Sequence, residues 1–320
     1  MRPIGGELEE EKCTYSHYFT DSGRSSLRLF LRSSNHSKKR YLIPNFFCDV
    51  IEEVFKEEGV EYAFYNILDT LEVDIESILS ESYDVLYLIN YFGMIHSLKG
   101  VETSNKIIIE DNVFFSDFNN HENYKAWYAF NSFRKISSLA DGSLIKTNLE
   151  IDEAKIVNRE ALFSAKKREA KDIKYHYIHH KKGDEMEYIN LFEEGEELLD
   201  NQKEIFQISS SSLLSLFQEE HSQALEKRRY FRLKKCFSSY AFEHNVHHYS
   251  VFLIKLKQRD ELRSYLMKKN IYLPIHWPES SQKNGLYDEV ISIPLFAQYK
   301  EDEFNYIIDS IEEFLNEQHK

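Results

Sequence analysis

Two nearly continuous apolar runs, at residues 84–90 and 106–109, constrain this chain more than any other feature. A strand that alternates apolar and polar residues has one wet face. An unbroken run is buried on both, as in a parallel sheet covered by helices. The surrounding segments keep that rhythm. Residues 24–32 place Leu27, Phe30 and Leu31 at helical spacing, and 41–43 form a short apolar strand stopped by Pro44. Residues 48–58 read as a helix with Val50, Ile51, Val54 and Phe55 on one face, followed by a strand at 62–65. Alternating strands and helices predict an α/β domain with a mostly parallel central sheet.

Beyond it, 127–147 reads as short strands around a turn at Asp141 and Gly142, and 158–217 as mostly helical. A long helix at 219–237, a strand at 247–256, a helix at 259–269, a strand at 271–276 and a closing helix at 301–315 make a small α+β domain. The expected division is a large domain at 1–218 and a small C-terminal domain at 219–320. The length of 320 residues suits two domains.

Charge narrows the function. Forty basic against 54 acidic residues give a net charge of −14. That balance argues against gripping a nucleic acid backbone. No run of 18 apolar residues occurs, since the longest candidate, 85–95, is broken by Asn90 and Gly93. Glu7, Glu9, Glu10 and Glu11 stand where a signal peptide would be basic and then apolar. Cys13, Cys48 and Cys236 are too few and too scattered for a disulfide framework. A cytoplasmic location with no membrane or nucleic acid partner is expected.

Several motifs are missing. The ten glycines form neither G-x-G-x-x-G nor a P-loop, and there is no C-x-x-C and no G-x-S-x-G. His176, His179 and His180, and again His244, His247 and His248, could bring two imidazoles together, but no acidic ligand is fixed at matching spacing. Solvated or half-buried imidazoles are the ordinary reading, and no metal is expected. Asn35, His36 and Ser37 form a glycosylation sequon, irrelevant in the cytosol. Ser132 and Lys135 match S-x-x-K of acyl enzymes, but no S-D-N or K-T-G accompanies them.

The chemistry-bearing set is different. Glu110 and Asp111 end a buried strand, and ligands of open α/β sheets sit at that end. Lys135 follows the strand-like stretch 127–132. Ser22, Gly23, Arg24, Ser25 and Ser26 open a helix, and a helix start offers free N–H groups and hydroxyls to a phosphate. A phosphate cradle, a strand-end acid and an amine are the parts that hold pyridoxal 5'-phosphate (PLP). Singly, each has an ordinary reading. Asp111 would cap a helix, Lys135 would be solvated, Ser132 would end a strand, Arg24 would be a surface charge and Cys48 a core thiol.

In order and spacing, these pieces resemble the DegT/DnrJ/EryC1/StrS family of PLP-dependent sugar aminotransferases, fold type I, and within it a short subgroup from polysaccharide biosynthesis clusters. The resemblance rests on Ile4 to Glu7, Ser22 to Leu27, Leu42 to Val50, Asn90 to Gly93, Ile108 to Asn112, Ser132 to Lys135 with Ala140 to Gly142, Glu226 to Arg229, His276 to Pro278 and Ile291 to Leu295. It is poor between 149 and 225. It implies a large PLP-binding domain with a mostly parallel sheet flanked by helices and a small C-terminal α+β domain. It implies a homodimer with its active site at the interface, a keto sugar substrate, nucleotide-linked, and glutamate as amino donor.

Carried over position by position, the resemblance puts Lys135 on the Schiff-base lysine and Asp111 on the partner of the pyridinium nitrogen. Val113 falls where a small apolar residue packs on one ring face, and Cys48 where many members place an aromatic over the other. Ser132, Arg24 and Ser25 fall on phosphate-binding positions. Arg134, Arg228 and Arg229 are candidates for a nucleotide diphosphate. Two positions depart from the pattern. Phe114 stands where many members have Gln or His, and Tyr230 and Phe231 follow Arg228 and Arg229 where many have Asn. These departures motivate an alternative reading, a degenerate PLP-fold protein without turnover or a PLP-dependent sugar dehydratase.

Overall fold

In the computed structural model, residues 14–34, 36–118, 124–218, 223–277 and 285–318 are described. The chain runs β1 (Ser16–Thr20), α1 (Gly23–Arg32), β2 (Arg40–Pro44), α2 (Asp49–Glu57), β3 (Glu61–Tyr65), α3 (Ile75–Leu79), β4 (Val85–Ile89), β5 (Ile107–Asp111), β6 (Ala126–Phe130) and β7 (Ser143–Thr147). Next come β8 (Ile156–Val157), α4 (Leu162–His180), α5 (Glu185–Asp200), β9 (Ile205–Phe206) and α6 (Ser210–Gln218). The C-terminal part holds α7 (Gln223–Cys236), β10 (Val251–Lys255), α8 (Arg259–Lys268), α9 (Gly285–Glu289), β11 (Val290–Pro294) and α10 (Glu301–Gln318).

The first seven strands form one sheet in the order β1-β7-β6-β5-β4-β2-β3. Strands β3, β2, β4, β5 and β6 pair parallel, while β7 is antiparallel to both β6 and β1. The apolar runs become β4, buried at every residue, and β5. Helix α1 lies in the same core, with Leu27, Leu29, Phe30 and Leu31 buried. Each such side chain contributes roughly 1.5–3 kcal/mol of burial. A second core joins Tyr230 and Leu233 of α7 to β10, β11, α8 and α10.

Some expectations need correction. The segment 271–276 is not a strand, although its burial alternates. Pro274 has no N–H to give a ladder, and only Ile275 bridges, to Ile291. The strand expected at 247–256 is shorter, Val251–Lys255. The helix expected at 219–237 is described over Gln223–Cys236. Edge strand β1 was not anticipated, and neither was the short parallel pair β8 and β9. The resemblance at Ile4 to Glu7 and at Pro278 lies outside the described residues, as do Cys13 and Asn35.

Candidate active site

The carboxyl ends of the parallel strands converge on one cleft. Ile89 ends β4, Asp111 ends β5, Phe130 ends β6, and Cys48 follows β2; all four line it. The cleft contains about 900 Å³ of space free of protein atoms, part of it open solvent.

One wall is the start of α1. Ser22 caps the helix, its Oγ accepting the Ser25 N–H at 3.2 Å. Gly23 brings the helix against β6, since a Cβ there would lie 3.4 Å from Asn131 O. Ser22, Gly23 and Arg24 line the cleft, with Ser132 beside them. Ser132 is held by its neighbour Asn131, which donates Nδ2–H to Phe115 O at 2.8 Å and accepts Leu144 N–H on Oδ1 at 2.8 Å. Ser25 stands behind this wall. It is fully buried, and its hydroxyl is turned to Gln202 and Asp21.

Asp111 is 7% exposed and its carboxylate accepts two hydrogen bonds, from Tyr87 OH at 2.8 Å and from Val113 N–H at 3.1 Å. Burial raises its pKa to about 6 against the pull of those donors and, more weakly, of Lys135. Among the described residues it makes no ion pair, so it is a buried acid waiting for a cation. Lys135 sits in a single 3₁₀ turn after β6. It lines the cleft and is exposed to it. Its ammonium has no hydrogen-bond or salt-bridge partner among the described residues. Desolvation, then Arg134, lowers its pKa, while Cys48 and Glu196 oppose the shift. Burial pushes the Cys48 thiol up, with Lys135 pulling it back.

Thus Arg24, Cys48, Asp111, Val113, Ser132 and Lys135 share one cavity, and Ser25 supports it from behind. Phe114 lines the same cavity and packs on Phe92 at 4.8 Å between ring centroids. Phe92 itself has φ 52, a backbone conformation uncommon for a bulky residue, where β4 leads into the site. Arg134 lines the cavity as well. Arg229 does not serve a diphosphate, because its guanidinium is spent on the carbonyls of Leu295, Phe296 and Tyr299. Arg228 is exposed on α7, outside the cavity lining.

Sequence reading missed Tyr87, which only strand register could have matched to Asp111. It treated His276 and Trp277 as part of the resemblance alone, yet both line the cavity from the C-terminal part. His276 is pushed down to about 3, mainly by burial, and its Nε2 pairs with Ser292 Oγ at 2.8 Å. Among the described residues, no three potential ligands cluster as a metal site; the rings of His176 and His180 lie 5.3 Å apart on α4, tilted to one another. No helix among the described residues is long and apolar enough to cross a membrane.

No family model and no curated protein matches the sequence. Solved structures do. A DegT DnrJ EryC1 StrS aminotransferase from Brucella abortus is 16% identical with a TM-score of 0.61, over 93% of this chain and 85% of that one. The sugar aminotransferase CalS13 from Micromonospora echinospora is 10% identical with a TM-score of 0.60, over 92% and 86%. A Streptococcus pneumoniae structure in its PLP form is 12% identical with a TM-score of 0.62, over 92% and 86%. At these identities the likeness is one of fold: the chain has the fold of these aminotransferases, fold type I.

Proposed function

We propose that this chain is a PLP-dependent aminotransferase that transfers nitrogen from glutamate to a nucleotide-linked keto sugar, in surface-polysaccharide or amino-sugar biosynthesis. It works in the cytoplasm as a homodimer whose active site lies at the interface. The observation that carries the reading is the pairing, in one cleft, of Asp111, a buried carboxylate with no ion pair among the described residues, and Lys135, an amine with no hydrogen-bond or salt-bridge partner among them. The residues present fit PLP. Ser22, Gly23, Arg24 and Ser132 offer hydroxyls, helix-start N–H groups and a guanidinium to its phosphate. Asp111 would hold the ring nitrogen, and a cation there would favour its ionised form. When bound, PLP supplies an aldehyde for nitrogen exchange and a ring that draws off electrons.

The chain's own part is to position and to move a proton. Lys135 would anchor the cofactor through its amine, and burial, which lowers its pKa, favours the neutral form that can take up and pass on a proton. Tyr87 and the Val113 N–H keep the Asp111 carboxylate aimed. Val113 and Cys48 line the same cavity and would confine the ring. A second reading, cofactor binding without transamination, is favoured by Phe114, which offers no hydrogen-bond donor. A spectrum of PLP-loaded protein before and after glutamate separates the two. Loss of the visible band supports the aminotransferase, and a band unchanged by glutamate supports the alternative.

A further inference from the structure

The geometry points to Arg134 as the receptor for a carboxylate of the amino donor, held in position by Glu196 and Lys167; this deepens the aminotransferase reading and rests on it.

Three described cations line the cavity: Arg24, Arg134 and Lys135. Arg24 stands at the helix start with the phosphate-type donors, and its charge is balanced by Asp200 at 2.6 Å. Lys135 is the amine. From the C-terminal part the cavity receives His276 and Trp277, and neither is a cation: the His276 imidazole is neutral. Arg134, whose partner Glu196 is shared with Lys167, therefore remains as the described cation placed to receive a substrate anion. It precedes Lys135 in the chain, so an anion on it lies next to the reacting amine.

Arg134 is built into its place. Its Nη1 donates to Glu196 Oε1 at 2.7 Å, leaving Nη2 and Nε without a protein partner among the described residues. The same Glu196 oxygen accepts from Lys167 Nζ at 2.5 Å. Lys167 is 3% exposed and packs against Gly195, where an added Cβ would come within 2.9 Å of its Cγ. Helices α4 and α5 thus meet at a small residue that lets the ammonium reach Glu196. Two cations share one carboxylate oxygen, so neither has Glu196 to itself. An incoming carboxylate completes that set and meets the two open nitrogens of a planar fork. Flanking cations hold the Glu196 carboxyl down at about 2, so it stays ionised at working pH.

The experiment is a titration of the PLP-loaded protein with maleate, a dicarboxylate without an amino group, followed by calorimetry and by the cofactor band. Maleate is expected to bind the wild type. Arg134→Met should raise its Kd at least about tenfold, the scale of one charge-assisted hydrogen-bonding pair, while the visible band of the loaded protein is retained. Arg134→Lys, which keeps the charge but not the fork, should fall between them. Glu196→Gln should raise Kd by roughly threefold or more, with recovery in Glu196→Asp. A wild type that binds no maleate, or an Arg134→Met protein that binds it as the wild type does, overturns the assignment. Failure of the parent reading looks different. A chain that takes up no PLP, yet binds maleate by calorimetry in an Arg134-dependent way, loses the aminotransferase and keeps the receptor.

Discussion

Tyr87 on β4 donates its hydroxyl to Oδ2 of Asp111 at the end of β5, 2.8 Å away, while Oδ1 of the same carboxylate accepts the Val113 N–H. The two donors occupy both oxygens and leave the acid aimed into the cleft. Removing one weakens the ionised form and its grip on a cationic ring. Tyr87→Phe is expected to raise the Kd for PLP by about tenfold, since a hydrogen bond to a charged group is worth about 1.5–3 kcal/mol. Equilibrium dialysis of PLP against both proteins measures it.

Asp111 also carries a pH signature in the cofactor-free chain. Its pKa is raised from 3.8 to about 6, so the folded state holds a proton that the unfolded state has released between those values. Stability from this group is present below about pH 4 and is lost as pH rises through 6, on the order of 3 kcal/mol. Asp21, raised to about 7, acts in the same direction. Urea unfolding of the wild type and Asp111→Asn between pH 4 and 7 should give a smaller fall in the variant, with the Asp21 share retained. Parallel curves would contradict the assignment.

Gly93 joins the site to the C-terminal part. It has φ +88, its carbonyl accepts the N–H groups of His247 and His248, and a Cβ there would sit 1.8 Å from His248 O. Both the backbone conformation and the space reject a side chain. Gly93→Ala is expected to destabilise the chain by more than about 3 kcal/mol. Gly100 also has positive φ but open space, so Gly100→Ala should cost only about 1 kcal/mol. Denaturant midpoints of the two variants compare the effects.

Cys48 and Cys236 give an internal comparison. Cys48 lines the cavity, whereas Cys236 is exposed on α7. Loading with PLP should slow alkylation of Cys48 by at least about tenfold, because access governs thiol reactivity, and leave Cys236 unchanged. Peptide mapping after iodoacetamide reads both rates in one sample. Equal slowing at both, or none at Cys48, would place the cofactor elsewhere.

Much of the architecture was legible because β4 and β5 are buried on both faces, a demand that leaves few residue types available. The helix start at Ser22 and Gly23 and the strand-end Asp111 were legible for the same reason, being fixed by local chemistry. Strand β1 was hidden: its residues run from exposed to buried along an edge, without a clean alternation. The segment 271–276 showed a strand's alternation but not its hydrogen bonds, and Pro274 decided the outcome. The Glu196–Arg134 pair was illegible because its members stand 62 residues apart and meet only when α5 comes against the 3₁₀ turn that follows β6. The Tyr87–Asp111 bond likewise needs the register of two parallel strands, which apolar patterning does not set.

The most direct test of the central claim is reductive trapping. The purified protein is mixed with PLP, treated with borohydride, digested and mapped by mass. A stable pyridoxyl adduct on Lys135, absent in Lys135→Ala, is the predicted result. An adduct on another lysine, or a visible band that survives Lys135→Ala, would contradict the account.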